Sequence, residues 1–215
     1  MSLQQQINLM QQEMVQQIPG DILDTLMTAK AQLVADKPEH NALKEGDPIP
    51  CFSLYTVAGN PLDIGDVLKE KNLVISFYRG SWCPYCNIEL RSLVEFYPAI
   101  KAAGAELIAI SPELPDQSMT YIEKQQIPFR VLSDPGNLVA KQFGIVVHLS
   151  QALRKVYKGF DFDLVKKNGD LYWKLPIPAT YLVTRDGIIH HASINPDYTQ
   201  RMEPEEIVRE LQLMK

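Results

Sequence analysis

Two cysteines separated by two residues, Cys83 and Cys86, are the side chains of this chain best suited to chemistry. They lie in the sequence WCPYC, which follows a short apolar run and begins a segment with helical periodicity. Cys83 is therefore expected at or next to a helix N-cap, with Pro84 at the first helical position. A helix N-terminus stabilises a thiolate, and a second thiol one turn later can resolve an oxidised sulfur. The spacing predicts a dithiol–disulfide cycle in which Cys83 is the more exposed and more reactive thiol.

A zinc site is the main structural alternative for a C-x-x-C pair. The remaining cysteine and the histidines form no second pair at a standard ligand spacing, so neither a metal nor a cofactor is predicted. His190 and His191 are adjacent on a predicted strand and would point to opposite faces of a sheet. The lone Cys51 is expected to be a small buried apolar side chain.

Three residues around the pair could tune or shape the thiol site. Arg79 is either a surface charge or a cation that lowers a thiolate pKa, and the sequence leaves both open. Trp82 and Tyr85 either pack in the core or shape the substrate surface, and their place next to the cysteines favours the second role.

Composition excludes several classes of function. The chain has 215 residues, of which 46% are hydrophobic, so it is expected to be a globular domain with an extension. A net charge of −5 argues against binding to nucleic acid or to an anionic membrane surface. The sequence contains no apolar run long enough for a transmembrane helix. The Gln-rich N-terminus does not resemble a secretory signal, and the small, odd cysteine count fits a cytoplasmic protein.

Helical spacing dominates the first part of the chain. Residues 3–36 are predicted to form two helices separated by Pro19-Gly20, and the polar segment 37–48 is a linker. We expect residues 1–40 to be a helical extension and residues 41–215 to be the main domain. The amphipathic pair either packs on its own domain or forms a homodimer contact.

Strands and helices alternate after the linker, which is typical of an α/β sheet with mixed strand directions. Predicted strands are Leu73–Tyr78, Leu107–Ile110, Phe129–Leu132, Thr180–Val183 and Ile188–Ala192, the last two joined as a hairpin. Predicted helices are Pro84–Tyr97, Ser118–Gln126, Asn137–Phe143 and Pro204–Met214. Residues 147–176 are interpreted as an insertion beside the sheet.

The motifs resemble a known family. WCPYC after a buried strand resembles the thioredoxin superfamily. The segments GDPIPCFSL, GAELIAISPE, FRVLSDPGNLVAKQFGI and ATYLVTRDGII resemble the alkyl hydroperoxide reductase/thiol-specific antioxidant family, the peroxiredoxins. The resemblance covers residues 44–200. It implies a thioredoxin-like α/β fold, a central mixed sheet flanked by helices, with a helical N-terminal extension.

The resemblance also implies roles for individual residues. Aligned from Phe77, the peroxidatic position is Cys86, the family's Thr position is Cys83 and its Pro position is Arg79. The family's Arg falls near Pro178, so the chain lacks the family's Pro, Thr and Arg and resembles the branch with a thioredoxin-type C-x-x-C. This branch implies a hydroperoxide reductase in which Cys86 attacks and Cys83 resolves, with thioredoxin or glutathione as reductant.

Two other functions remain open from the sequence. A general thiol–disulfide reductase would attack a disulfide substrate with Cys83 and resolve with Cys86. A non-catalytic binding protein could use the cysteines as a redox sensor. The resemblance to the thioredoxin superfamily further predicts a cis Ile177–Pro178 bond that faces the cysteines and positions the substrate.

Overall fold

A seven-stranded mixed sheet forms the centre of the computed structural model, which describes residues 1–118, 122, 126–160 and 162–214. The strands in chain order are β1 (Ser53–Thr56), β2 (Pro61–Asp63), β3 (Asn72–Phe77), β4 (Ala105–Ser111), β5 (Arg130–Ser133), β6 (Val146–His148), β7 (Lys174–Pro176), β8 (Ala179–Val183) and β9 (Ile189–Ile194). The sheet order is β2-β1-β5-β4-β3-β8-β9, while β6 and β7 form a separate pair. Parallel pairing of β3, β4 and β5 and antiparallel pairing elsewhere confirm the predicted mixed α/β sheet.

Both faces of the central strands are buried, which explains their nearly continuous apolar sequences. Along β3, Leu73, Ile75 and Phe77 point into one core, and Val74 points into the other. The second core also contains both cysteines of the C-x-x-C pair. Alternation along β3 therefore places the residue that follows it, Tyr78, on the same side as the thiols.

Helices cover both faces of the sheet. They are α1 (Leu3–Gln17), α2 (Gly20–Ala35), α3 (Ile64–Leu68), α4 (Pro84–Ala102), α5 (Leu138–Gln142), α6 (Gln151–Gly159), α7 (Leu164–Asn168) and α8 (Pro204–Leu213). Helix α4 runs past its predicted end and contains Pro98, because the fully buried Ile100 anchors its last turn in the core. Most of the helix predicted over 118–126 lies outside the described residues. Within the described part of the chain, no helix combines the length and apolarity needed to cross a membrane.

The segment 147–176 forms a small unit beside the sheet, as its sequence predicts. The strand pair β6–β7, together with α6 and α7, encloses a separate apolar cluster built on Leu149, Tyr157, Leu164 and Trp173. Trp82, from the loop before α4, packs against this cluster. The insertion therefore packs directly against the segment that carries the cysteines.

The two N-terminal helices pack against the chain's own domain. Leu3 and Ile7 of α1 are buried against Ile88 of α4. The carboxylate of Glu203 accepts hydrogen bonds from the backbone N–H groups of Leu3 and Gln4, at 2.8 and 2.9 Å. Helix α2 lies against α6 of the insertion. The helix pair is confirmed, and the division at residue 40 stays a prediction.

Candidate functional site

The predicted thiol site is built at the junction of β3 and α4. Cys83 is the N-cap of α4, with extended backbone dihedrals, and Pro84 is its first residue, as predicted. The loop before it requires Gly80, whose φ is 139° and where any Cβ would collide with the indole of Trp82. The carboxylate of Glu113 accepts hydrogen bonds from the backbone N–H and the hydroxyl of Ser81 at 2.8 and 2.9 Å. The local sequence thus fixes where α4 begins.

Both thiols are fully buried, with 0% of either residue exposed. The prediction that Cys83 is exposed at the helix start is therefore wrong. The physical reason is the cover around the helix start, because Trp82 and Tyr85 pack against the core cluster that contains the two cysteines. A bulky substrate can reach the sulfurs only when part of this cover moves.

The two sulfur atoms form a hydrogen-bonded pair. The Cys86 thiol donates to Cys83 Sγ at an S–S separation of 2.8 Å. Burial alone would raise the pKa of Cys83, but the hydrogen bond from Cys86 and the charges of Arg79 and Arg201 lower it to about 6. Burial, the same hydrogen bond and the charge on Cys83 raise the pKa of Cys86. The pair therefore holds one negative charge near neutral pH, centred on Cys83.

Arg79 is one of two buried guanidinium groups beside the pair. The residue is 6% exposed, and its side chain donates a hydrogen bond to the hydroxyl of Tyr157. Its Cζ lies 5.0 Å from the ring centre of Trp82 and 4.4 Å from that of Tyr198. The sequence left two roles open for Arg79, a surface charge or a cation that lowers a thiolate pKa. Its burial beside the thiols supports the second role.

The second guanidinium belongs to Arg201, which the sequence analysis missed. Its Nη2 lies 3.7 Å from Cys86 Sγ, and its Nε forms a 2.9 Å ion pair with Glu89. Both members of this ion pair are almost completely buried. Glu89 could have been found from its position one turn after Cys86, but no spacing in the sequence points to Arg201. The segment after β9 thus supplies an arginine at Cys86, although no arginine stands next to Pro178 in the sequence.

The aromatic residues next to the cysteines both contact the site. Trp82 packs edge-on against Tyr157 of the insertion, with ring centres 5.6 Å apart. Tyr85 faces Tyr198 at 5.9 Å and also packs against the cluster of α1. These contacts connect the cysteine loop to the N-terminal helix, to the insertion and to the segment after β9.

The Ile177–Pro178 bond is trans, and the prediction of a cis bond is wrong, since no peptide bond within the described residues is cis. The chain runs directly from β7 into β8 here, and the N–H of Ile177 donates to the carbonyl of Ile145 at 2.7 Å, so no sharp reversal is required. Ile177 is buried in the core on the face opposite the thiols. Pro178 lies near Glu89 and Arg201, lining the same small cleft.

The remaining titratable candidates lie apart from the thiols. Cys51 is exposed, which contradicts its predicted burial, because the neighbouring Phe52 points into the core and leaves Cys51 on the outer side. His190 and His191 approach different carboxylates, Glu210 at 3.9 Å and Glu45 at 2.9 Å, as expected for opposite faces. The described residues contain no group of three or more side chains placed to hold a metal ion.

Comparisons with known proteins found relatives of this chain by sequence and by fold. The sequence model of the AhpC/TSA family matches residues 46–192. The chain is 32% identical over 151 residues to peroxiredoxin Bcp of Escherichia coli, covering 70% of this chain and 85% of that protein. It is 26% identical over 166 residues to chloroplastic peroxiredoxin Q of Sedum lineare, covering 77% of this chain and 74% of that protein.

Solved structures with the same fold include two with low sequence identity. The peroxidoxin BcpB of Mycobacterium tuberculosis superposes with a TM-score of 0.63 and 19% identity, covering 80% of this chain and 99% of that one. A peroxiredoxin-like protein of Aquifex aeolicus gives a TM-score of 0.64 and 18% identity, covering 81% of this chain and 89% of that one. Both likenesses establish the fold, which agrees with the predicted thioredoxin-like architecture.

Proposed function

The chain belongs to the AhpC/TSA family, and from that premise we propose that Cys83 and Cys86 form the centre at which it reduces hydroperoxides. It is a thiol-dependent peroxidase of the peroxiredoxin type, within the thioredoxin superfamily. The observation that carries the assignment to this pair is the 2.8 Å contact between its sulfurs at the start of α4, with Arg79 and Arg201 buried beside them. Within the described residues the third cysteine, Cys51, is exposed and has no such surroundings.

The first step is attack of the Cys86 sulfur on the peroxide. Cys83 carries the negative charge at rest and is hydrogen-bonded to the Cys86 thiol, so it is placed to take that proton as a general base. The Cys86 thiolate then attacks the terminal oxygen of the hydroperoxide ROOH. The S–O bond forms, the O–O bond breaks, and the alkoxide leaves as ROH after taking a proton from water. Arg201 lies 3.7 Å from this sulfur and can stabilise the charge that develops on the oxygens.

The second step closes the disulfide. The Cys83 thiol attacks the sulfur of the Cys86 sulfenic acid, and water leaves with the hydroxyl group and one proton. Together the two steps consume the thiolate, the thiol, one hydroperoxide and one proton, and they yield the disulfide, one alcohol and one water. An external thiol reductant, either one dithiol or two monothiol molecules, must then return two electrons and two protons to the disulfide. We infer a thioredoxin- or glutathione-type reductant acting in the cytoplasm.

The direct test is turnover of hydrogen peroxide and cumene hydroperoxide with thioredoxin or glutathione as reductant. Cys86→Ser should abolish turnover. Cys83→Ser should still form a sulfenic acid at Cys86, which dimedone traps, but should not form the internal disulfide. Cys51→Ser is the matched control and should behave as the unmodified chain. Turnover that survives Cys86→Ser would refute the assignment of the attacking sulfur.

A general thiol–disulfide reductase is the second candidate, because the N-cap residue Cys83 carries the lowered pKa. In that reaction Cys83 attacks the substrate disulfide, and Cys86 displaces the product thiol from the mixed disulfide. Cys83→Ser would then abolish activity, whereas Cys86→Ser would accumulate mixed disulfides with the substrate. The two cysteine variants therefore give opposite results for the two functions.

We also propose that the chain forms a homodimer through α2. None of the residues of α2 is buried, and Met27 and Val34 are exposed. Analytical ultracentrifugation should show a dimer that Met27→Glu weakens, with Thr25→Glu on the half-buried side of the same helix as a comparison. A monomer at high concentration would refute this contact.

A further inference from the structure

A cavity of about 540 Å³ lies next to the thiol site and between three parts of the chain. Helix α2 forms one wall, the segment that enters α6 forms another, and residues 175–178 form the floor. Its surface is mostly apolar. Small-molecule sites in proteins have volumes of about 300–1,000 Å³, so the cavity is large enough for an organic ligand.

Two cations line this cavity, and they differ in their partners. Lys30 forms an ion pair with Asp197 at 3.2 Å, so its charge is balanced. Arg79 is buried, and within the described ranges no carboxylate forms an ion pair with it. It donates a hydrogen bond to the hydroxyl of Tyr157, and aromatic rings cover its guanidinium. A buried cation without a carboxylate is costly unless another anion is near.

The thiolate of Cys83 supplies that anion in the reduced protein. The guanidinium of Arg79 lies 5.0 Å from the ring centre of Trp82, the residue directly before Cys83, and both Arg79 and Cys83 are buried. This placement agrees with the lowering of the Cys83 pKa by the charge of Arg79. Oxidation of the cysteine pair to a disulfide removes the negative charge. Arg79 then remains charged and buried beside the cavity without a negative partner.

From this arrangement we propose that the cavity binds an apolar monocarboxylate, with its carboxylate at Arg79 and its hydrocarbon chain between α2 and α6, and that the disulfide form binds it more tightly. The apolar wall fits the chain, and the guanidinium fits the carboxylate through paired hydrogen bonds. The acidic residues at this cavity, Asp24 in α2 and Asp36 directly after it, are both exposed, whereas Arg79 is buried.

The coupling between oxidation and binding must act in both directions. A carboxylate at Arg79 competes with the Cys83 thiolate, so a bound ligand should raise the pKa of Cys83 and favour the disulfide. The redox coupling rests on the proposed disulfide cycle, whereas occupation of the cavity does not. The affinity of the cavity for the ligand would therefore depend on the oxidation state of the cysteine pair.

Calorimetric titration with decanoate, below its micelle concentration, tests the proposal on the full chain. The reduced protein and the disulfide form, prepared with one equivalent of diamide, are titrated in parallel. Diamide takes up the two electrons and two protons that disulfide formation releases. We expect saturable binding of one decanoate, about tenfold tighter to the disulfide form. Decanol, which has the same chain without the charge, should bind much more weakly to both forms.

A matched pair of variants locates the ligand on α2. Ala29→Phe fills the cavity and should weaken decanoate binding at least tenfold, whereas Ala31→Phe, on the exposed side of the same helix, should not. Absence of saturable binding, or binding that Ala29→Phe leaves unchanged, overturns the site. Binding of decanol as tight as that of decanoate overturns the role of Arg79. Equal affinity of the reduced and disulfide forms for decanoate overturns the coupling between oxidation and binding. Peroxide turnover, measured separately, shows whether the catalytic cycle itself holds.

Discussion

At the scale of single residues, the main feature of the site is a second cation that reaches the thiols from a distant part of the sequence. Arg201 contacts Cys86 and is held by Glu89 from the same helix as that cysteine. A guanidinium fixed by a buried carboxylate needs no rearrangement when charge develops on the peroxide oxygens. Arg201 can thus supply the stabilisation that the sequence around Arg79 and Pro178 does not provide.

We predict that Arg201→Gln lowers the rate constant for peroxide reduction by about 100-fold, because one charged hydrogen-bond donor is lost at the reacting oxygens. Stopped-flow measurement of sulfenic acid or disulfide formation gives this rate constant. Arg209→Gln, which changes an exposed arginine of α8, is the control. Since Arg201→Gln leaves Glu89 buried without a partner, the variant Glu89→Gln/Arg201→Gln serves as a second test. Rate constants within twofold of the unmodified chain in both variants would contradict the role.

The ionisation of the pair gives a second prediction at this scale. Thiol alkylation requires the thiolate, so its rate rises with pH until the thiol is fully ionised. The lowered pKa of Cys83 should place the midpoint of this rise well below 8.5, the value of an ordinary thiol. Iodoacetamide labelling from pH 4 to 9, with mass-spectrometric assignment of the modified cysteine, measures it. Exposed Cys51 is an internal comparison, and a midpoint near 8.5 for Cys83 would refute the assigned charge.

At the scale of elements, the sequence predicted what is local and missed what depends on contacts between distant segments. The start of α4 at Cys83-Pro84 follows from capping rules and was correct. The burial of Cys83 depends on the packing of Trp82 and Tyr85 with segments far along the chain, which no spacing reveals. Arg201 was missed for the same reason. The prediction of a cis Ile177–Pro178 bond was wrong because it rested on the family resemblance, whereas the chain continues straight into β8 at this position.

Helix α1 is one part of the cover over the thiols, and loosening it should increase their accessibility. Ile7 is fully buried against Ile88, so Ile7→Ala leaves a cavity that costs about 2–5 kcal/mol of packing free energy. We predict several-fold faster alkylation of Cys83 at pH 8 in this variant. Leu9→Ala, on the exposed side of the same helix, should leave the rate unchanged. Equal rates in the two variants would show that the thiols are reached by another route.

At the scale of the whole molecule, the proposed catalytic centre lies beneath parts of the chain that lie outside the central sheet. Helix α1 contacts the start of α4, and the insertion contacts Trp82. The segment after β9 contributes Tyr198 and Arg201, and it is tied to α2 through Lys30 and Asp197. The sheet thus positions the cysteines, the extension and the insertion cover them, and the segment after β9 adds the charge of Arg201. This division explains how the thioredoxin-like core can be predicted while its covering contacts cannot.

The strand order also determines which disulfide can form among the three cysteines. Cys51 precedes β1, and β1 is separated from β3, which leads to Cys83 and Cys86, by three strand spacings of about 4.8 Å each. A disulfide requires Cα atoms about 4.4–6.8 Å apart, so Cys51 cannot join the pair without disrupting the sheet. One equivalent of hydrogen peroxide should therefore give an internal Cys83–Cys86 disulfide, with Cys51 still free to react with N-ethylmaleimide. Peptide mapping of the blocked, unreduced protein measures this outcome. A dominant cross-link through Cys51, within one chain or between two, would mean that Cys83 is not the resolving partner.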